Sequence, residues 1–204
     1  MTTENMFRLT AILLLISGFS ISIYFRRRAE QQGQGDKIDF SEEKTWVYRL
    51  RLGGALLGYC TMLAYLIYPA SVRWAQLEIP ESLRWLGAGL MLLMLPLIYW
   101  LFVNLGTNVT PTVSIREKHE LVTSGPYRYI RHPLYTFGFI NFVGMSLLTA
   151  NWLLFFGLIV GMFALIARAE KEEQNLLTRF GKDYQDYMDK TGRFFPQFRR
   201  GARN

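Results

Sequence analysis

Cysteine is almost missing from this chain: Cys60 is the single one in 204 residues, and it lies inside an apolar segment. An internal disulfide is therefore excluded, no thiolate metal site is expected, and Cys60 is assigned as a small packing residue. Histidine is nearly as scarce, with His119 and His132 the only two. Charge is thin as well, at 19% against 50% hydrophobic residues. The balance is basic, +7, but the lysines and arginines alternate with apolar blocks instead of clustering on one soluble face. That argues against nucleic acid as a partner and for a membrane surface. The first apolar stretch also does not read as a signal peptide. Such a peptide carries its positive charge before the apolar core and a small-x-small site after it, whereas Arg26, Arg27 and Arg28 follow the apolar stretch Leu9 to Phe25.

What is present is a succession of apolar runs. Leu9 to Phe25 is about long enough to span a bilayer, followed by a polar, glycine-containing loop over residues 29–48. A second span is expected from Leu52 to Tyr68, with Pro69 ending it, then a short loop over 70–82 with Trp74 near the interface, and a third span from Leu83 to Val103 bent at Pro96. Gly54 and Gly58 form a small-xxx-small pair, as do Gly157 and Gly161. Such pairs let helices approach closely but also arise by chance, and ordinary packing is the expectation for the first. Asn104 to Ser114 is too polar for lipid. Leu134 to Leu148 and Trp152 to Ala167 are shorter runs separated by Thr149, Ala150 and Asn151, which predicts a helical hairpin.

Twenty of the 23 lysines and arginines fall in segments 26–51, 104–133 and 168–204. The positive-inside rule then gives five spans, with the amino terminus outside and the carboxyl terminus inside. It gathers on the cytoplasmic side two stretches rich in polar chemistry. The first runs from His119 to Tyr135, where Arg128, Arg131 and His132 precede Pro133 at the start of a helix. That end of a helix already bears partial positive charge, so further cations there are unfavourable unless an anion or polar ligand is held. The plainer alternative is that the arginines anchor the helix at the interface and His132 caps it. The second stretch continues the fifth helix past Ala167 and stops at Gly181. Arg168, Glu172 and Leu176 share one helical face, with Glu173, Leu177 and Phe180 on the next. A solvated face is the plain reading of these acids. The tail to Pro196 is aromatic and suits a segment folded back over the interface.

Together, His119-x-Leu-Val-x-x-Gly-Pro-Tyr-Arg-x-x-Arg-His-Pro-x-Tyr135 and Glu172-Glu-x-x-Leu-Leu-x-x-Phe-Gly-x-x-Tyr-x-x-Tyr187, with Arg193-Phe-Phe-Pro196, resemble the isoprenylcysteine carboxyl methyltransferase family and, more loosely, the phospholipid N-methyltransferases. The resemblance covers residues 104–196, with two departures: a glycine at 138 instead of one position nearer the motif tyrosine, and Thr191-Gly192 where Val-Pro is common. It implies an all-α integral membrane enzyme of about five transmembrane helices, with a C-terminal helical hairpin and a cytoplasmic region that binds S-adenosylmethionine. On this basis the chain is one membrane domain, residues 1–103 supplying three helices and 104–196 the catalytic part. The resemblance assigns His119, Leu121, Val122, Gly125, Tyr127, Arg128, Arg131, His132, Pro133 and Tyr135 to the cofactor. Arg168, Glu172 and Glu173 become the catalytic candidates, acting on a lipophilic acceptor that enters from the bilayer. Arg168 would suit an acceptor carboxylate and an acid would suit a phospholipid amine. A nicotinamide-dependent reductase of sterol type remains open, because the missing glycine-rich phosphate loop does not exclude one. A non-catalytic scaffold would need neither the Arg-His-Pro stretch nor the acids.

Overall fold

The computed structural model describes residues 2–32, 45–106 and 121–197. They form six α-helices: α1 Thr3–Gln32, α2 Thr45–Ile67, α3 Glu81–Leu105, α4 Pro133–Thr149, α5 Trp152–Phe180 and α6 Lys182–Lys190. Among the described residues there are no strands, only isolated bridges that pair Gln76 with Asn151 and Ile130 with Gly192. Helices α1, α2, α3 and α5 are each long and apolar enough to cross a membrane. With 17 residues, α4 rises only about 25 Å and is the short member of the set. The protein is an integral membrane protein with an all-α fold.

The helices pair as α3 on α4 and α2 on α5, with α1 lying against α3 and α4 closing a hairpin with α5. In lipid, where apolar side chains gain little by leaving their surroundings, backbone proximity and dispersion have to do much of this work. Glycine supplies the proximity at both main crossings. A Cβ at Gly54 would stand 3.0 Å from the Gly161 nitrogen and 3.1 Å from the Gly157 oxygen, so the two small-xxx-small pairs face one another across α2 and α5. The pairing is specific, contrary to the expectation of ordinary packing. Between α3 and α4 the approach is closer: a Cβ at Gly87 would meet the Gly144 oxygen at 2.5 Å and the Leu148 nitrogen at 2.7 Å.

Other expectations are modified. Residues 29–32 belong to α1 and residues 45–48 to α2, which leaves only 33–44 of the expected loop, outside the described residues. The turn after α2 is a 3₁₀ helix, Pro69–Ala75. Cys60 is exposed on the outer surface of α2, not packed inside. Pro96 lies within α3, which runs on to Leu105. The predicted hairpin turn is tight: Ala150 adopts a left-handed conformation, φ 50°, and the Asn151 side chain caps α5 by accepting from the Leu153 and Leu154 nitrogens at 3.0 and 3.3 Å. Gly181 stops α5, as expected.

At the end that holds this turn, Arg84 is buried and donates through Nε to the Leu148 carbonyl at 2.9 Å and through Nη1 to Glu4 at 2.7 Å. The Tyr65 hydroxyl donates to the same Glu4 at 2.6 Å. One arginine thereby ties α1, α2, α3 and α4 together, and its bonds leave its charge compensated in a poorly hydrated place.

Candidate functional site

The candidate site lies at the opposite end of the hairpin, where the start of α4 meets the polar continuation of α5. Pro133 opens α4, and the chain before it is set by a short 3₁₀ turn, Gly125–Arg128. Gly125 has φ +59°, and a Cβ there would collide with the Asn104 side chain, so glycine is required for this turn to dock on the end of α3. His132 is the residue before the helix, but its side chain makes no capping hydrogen bond. It points instead at the acids of α5, which removes the capping alternative.

Two carboxylates and their partners fill the space between the helices. Glu173 is 3% exposed. Its Oε1 accepts from Arg131 Nε at 2.8 Å and lies 3.2 Å from His132 Nε2, while Oε2 accepts from Arg193 Nε at 3.0 Å and from Arg193 Nη2. Such a set satisfies the lone pairs of a buried acid and offsets the cost of dehydrating its charge. The plain reading of both acids as a solvated face therefore fails for Glu173. Glu172 is the more open of the two, with its side chain 21% exposed. Its Oε1 accepts from Arg168 Nε at 2.9 Å and from the Tyr135 hydroxyl at 2.8 Å; its Oε2 faces His132 Nδ1 at 3.6 Å, too far for a hydrogen bond. The imidazole is thus held between the acids, stacked on the Tyr135 ring at 5.3 Å and 4°.

The tail returns to this site. The Arg131 nitrogen donates to the Gly192 carbonyl at 2.8 Å and the His132 nitrogen to the Arg193 carbonyl at 3.0 Å. Thr136 Oγ1 donates to the Phe194 carbonyl at 2.8 Å. Arg131 Nη1 donates to the carbonyls of Met188 and Thr191 near the end of α6. The Tyr187 hydroxyl donates to the Tyr127 carbonyl at 2.7 Å. Burial pushes the phenol of Tyr187 up to about 12, and burial pushes Tyr127 and Tyr184 higher still, so all three are neutral at physiological pH. The Glu173 hydrogen bonds raise Arg193 above its already high value, and it stays a cation.

Seven of the sequence-assigned residues therefore come together: Arg131, His132, Pro133, Tyr135, Arg168, Glu172 and Glu173. Tyr127 supports them from below through its carbonyl. Gly125 is a turn residue against Asn104, away from the acids. Arg128 is exposed and forms no side-chain hydrogen bond or ion pair with any described residue. Leu121 and Val122 are half-buried at the edge of the described chain, and His119 lies outside the described residues. Sequence reasoning missed Thr136, Tyr187, Met188 and the bonding role of Arg193. Of these, Tyr187 and Arg193 had a visible signal, their places in the second motif and beside Phe-Phe-Pro.

The donor set suits a zwitterionic, cationic cofactor such as S-adenosylmethionine. The Glu172 side chain is partly exposed, the polar partner facing its Oε2, His132 Nδ1, stands at 3.6 Å, and an ammonium could bond to that oxygen. Arg128, exposed in the 3₁₀ turn before α4 and without a side-chain partner among the described residues, is a cation that could meet a carboxylate.

The chain resembles known proteins over much of the region that carries this arrangement. Residues 83–183 match the family model described as phospholipid methyltransferase. A protein-S-isoprenylcysteine O-methyltransferase from Dictyostelium discoideum is 34% identical over 109 residues, covering 52% of this chain and 46% of that protein. A nickel-cobalt-cadmium resistance protein, NccN, from Alcaligenes xylosoxydans xylosoxydans is 35% identical over 85 residues, 42% of this chain and 40% of that protein. The chain thus spans less than half the length of these curated relatives. The solved structure of a eukaryotic intramembrane Ras methyltransferase, an isoprenylcysteine carboxyl methyltransferase, shares the fold with a TM-score of 0.52 at 20% identity, over 92% of this chain and 67% of that one. Just under half of the chain, residues 83–183, is thus similar to the phospholipid methyltransferase family, and the fold resembles that of the solved intramembrane Ras methyltransferase.

Proposed function

We propose that the protein is a membrane-embedded methyltransferase that takes its methyl group from S-adenosylmethionine and delivers it to a lipophilic acceptor reaching the site from the bilayer. The observation that carries this reading is the meeting of His132 and Tyr135, at the start of α4, with Glu172 and Glu173 on α5, two motifs 37 or more residues apart in the chain. When bound, the cofactor supplies an activated methyl on a sulfonium. Glu172 would hold a cationic group of it, Arg128 its carboxylate, and the Leu121 to Val122 backbone with His119 its adenosine side. Little proton chemistry is required of the protein, so its residues contribute by alignment and by excluding water.

Residues 104–196 form the catalytic part in this reading, carried on the three preceding helices. The site faces the cytoplasm, where most of the positive charge lies, with the amino terminus outside. Arg168, buried beside Glu172, favours an acceptor that bears a carboxylate, as a prenylated cysteine does. Amine methylation of a phospholipid is the second reading, supported by the matched family model. Calorimetric titration of the purified protein in lipid nanodiscs with S-adenosylmethionine and, separately, with NADPH tests the class. Micromolar uptake of the former is expected. Binding of NADPH with no response to S-adenosylmethionine would mean that the site belongs to a reductase.

A further inference from the structure

Arg193 stands outside the residues that the sequence assigns to the cofactor or the acceptor, yet it is bonded to the site twice. Its main-chain carbonyl accepts from the His132 nitrogen at 3.0 Å, and its guanidinium takes Glu173 Oε2 through both Nε and Nη2. Both donors converge on one oxygen and pin Oε2 in place; the plane of the carboxylate is then set by Arg131 holding Oε1 from the other side. With Oε2 turned to Arg193, Oε1 of Glu173 is directed at Arg131 and at His132 Nε2. That contact and the stacking on Tyr135 orient the imidazole, whose Nδ1 then faces Glu172 Oε2. Tyr135 in turn holds the other oxygen of Glu172. Contacts therefore run from the tail through Glu173, His132 and the stacked Tyr135 to the Glu172 carboxylate, the imidazole approaching Oε2 at 3.6 Å as a polar neighbour and not as a hydrogen-bond partner.

We infer that Arg193 is a positioning residue: acting through Glu173, it orients His132 and so fixes the Glu172 oxygen that receives the cofactor's cation. The inference rests on the methyltransferase reading. It separates the two adjacent acids, making Glu173 a structural hub and Glu172 the cofactor-facing acid. Glu170, the other acid near Arg193, is 3.7 Å away with its side chain 59% exposed, and has no part in the relay.

The test is calorimetric titration of the full-length protein in nanodiscs with S-adenosylmethionine, with the KM of the acceptor measured in parallel. Arg193→Gln keeps the main-chain bond to His132 and removes the guanidinium. It is expected to weaken cofactor binding about tenfold and leave the acceptor KM unchanged, with Arg193→Lys recovering part of the loss. In a Glu173→Gln background the further change Arg193→Gln should have no additional effect on cofactor affinity, because the intermediate through which it acts is gone. Glu170→Gln should bind as the wild type does. Wild-type affinity in Arg193→Gln overturns the inference. So does an effect that simply adds to that of Glu173→Gln, or equal damage to cofactor and acceptor with no recovery by lysine. Failure of the wild-type protein itself to bind S-adenosylmethionine rejects the methyltransferase reading and the inference with it.

Discussion

Replacing Glu173 by glutamine keeps the shape of the side chain and removes its charge, leaving Arg131, His132 and Arg193 around a neutral amide. Breaking a buried ion pair from one side costs about 3–5 kcal/mol where the abandoned charge has no other recourse. Here there is some relief. The Arg193 side chain is 34% exposed and can regain water, and Arg131 keeps the carbonyls of Met188 and Thr191. One amide oxygen also continues to accept. The expected loss is thus about 2–3 kcal/mol of folding stability. For Glu172→Gln the oxygen that accepts from Tyr135 and Arg168 survives, and the site is already partly wet, so about 1 kcal/mol is expected. Both variants should lose cofactor affinity by about tenfold, Glu172→Gln at the contact itself and Glu173→Gln through His132, but only Glu173→Gln should also lose much stability. Reversible unfolding in mixed micelles, followed by calorimetry of the folded fraction, measures both. Equal stability losses in the two variants, or a Glu173→Gln protein as stable as the wild type, would refute the reasoning.

The glycine crossing between α3 and α4 gives a second prediction: Gly87→Ala must push two backbones apart and should destabilise by about 1–3 kcal/mol, whereas Gly89→Ala, with nothing within 4 Å, should cost nothing. Micelle unfolding of the pair checks it, and equal midpoints would contradict the crossing. A third concerns alkaline pH. The Tyr187 phenol, raised by burial to about 12 from an ordinary 10, contributes stability that is complete below pH 10 and is lost as pH rises toward 12, since the unfolded chain ionises first. Tyr187→Phe should flatten the fall of unfolding free energy across pH 10 to 12 while lowering stability at neutral pH by about 1 kcal/mol through the lost bond to Tyr127.

The sequence by itself determined the membrane class, the order of the long helices, the stop at Gly181 and most of the charged residues that meet at the site, Arg131, His132, Arg168, Glu172 and Glu173. These are local properties: an apolar run of sufficient length must be helical in lipid, and acids one helical turn from Arg168 must lie near it. Which of two adjacent acids is buried was decided only by the tertiary structure. Glu172 and Glu173 differ by one position, about 100° around α5, and the sequence alone could not say which of their faces α4 and the tail would cover. The same holds for Arg193, whose bond to Glu173 depends on a chain reversal through α6, and for Gly87, whose partner Gly144 lies on another helix. Cys60 shows the limit from the other side. Every face of a lipid-embedded helix can be apolar, so composition does not tell an inward residue from one exposed on the outer surface; only the packing of α2 on α5 does.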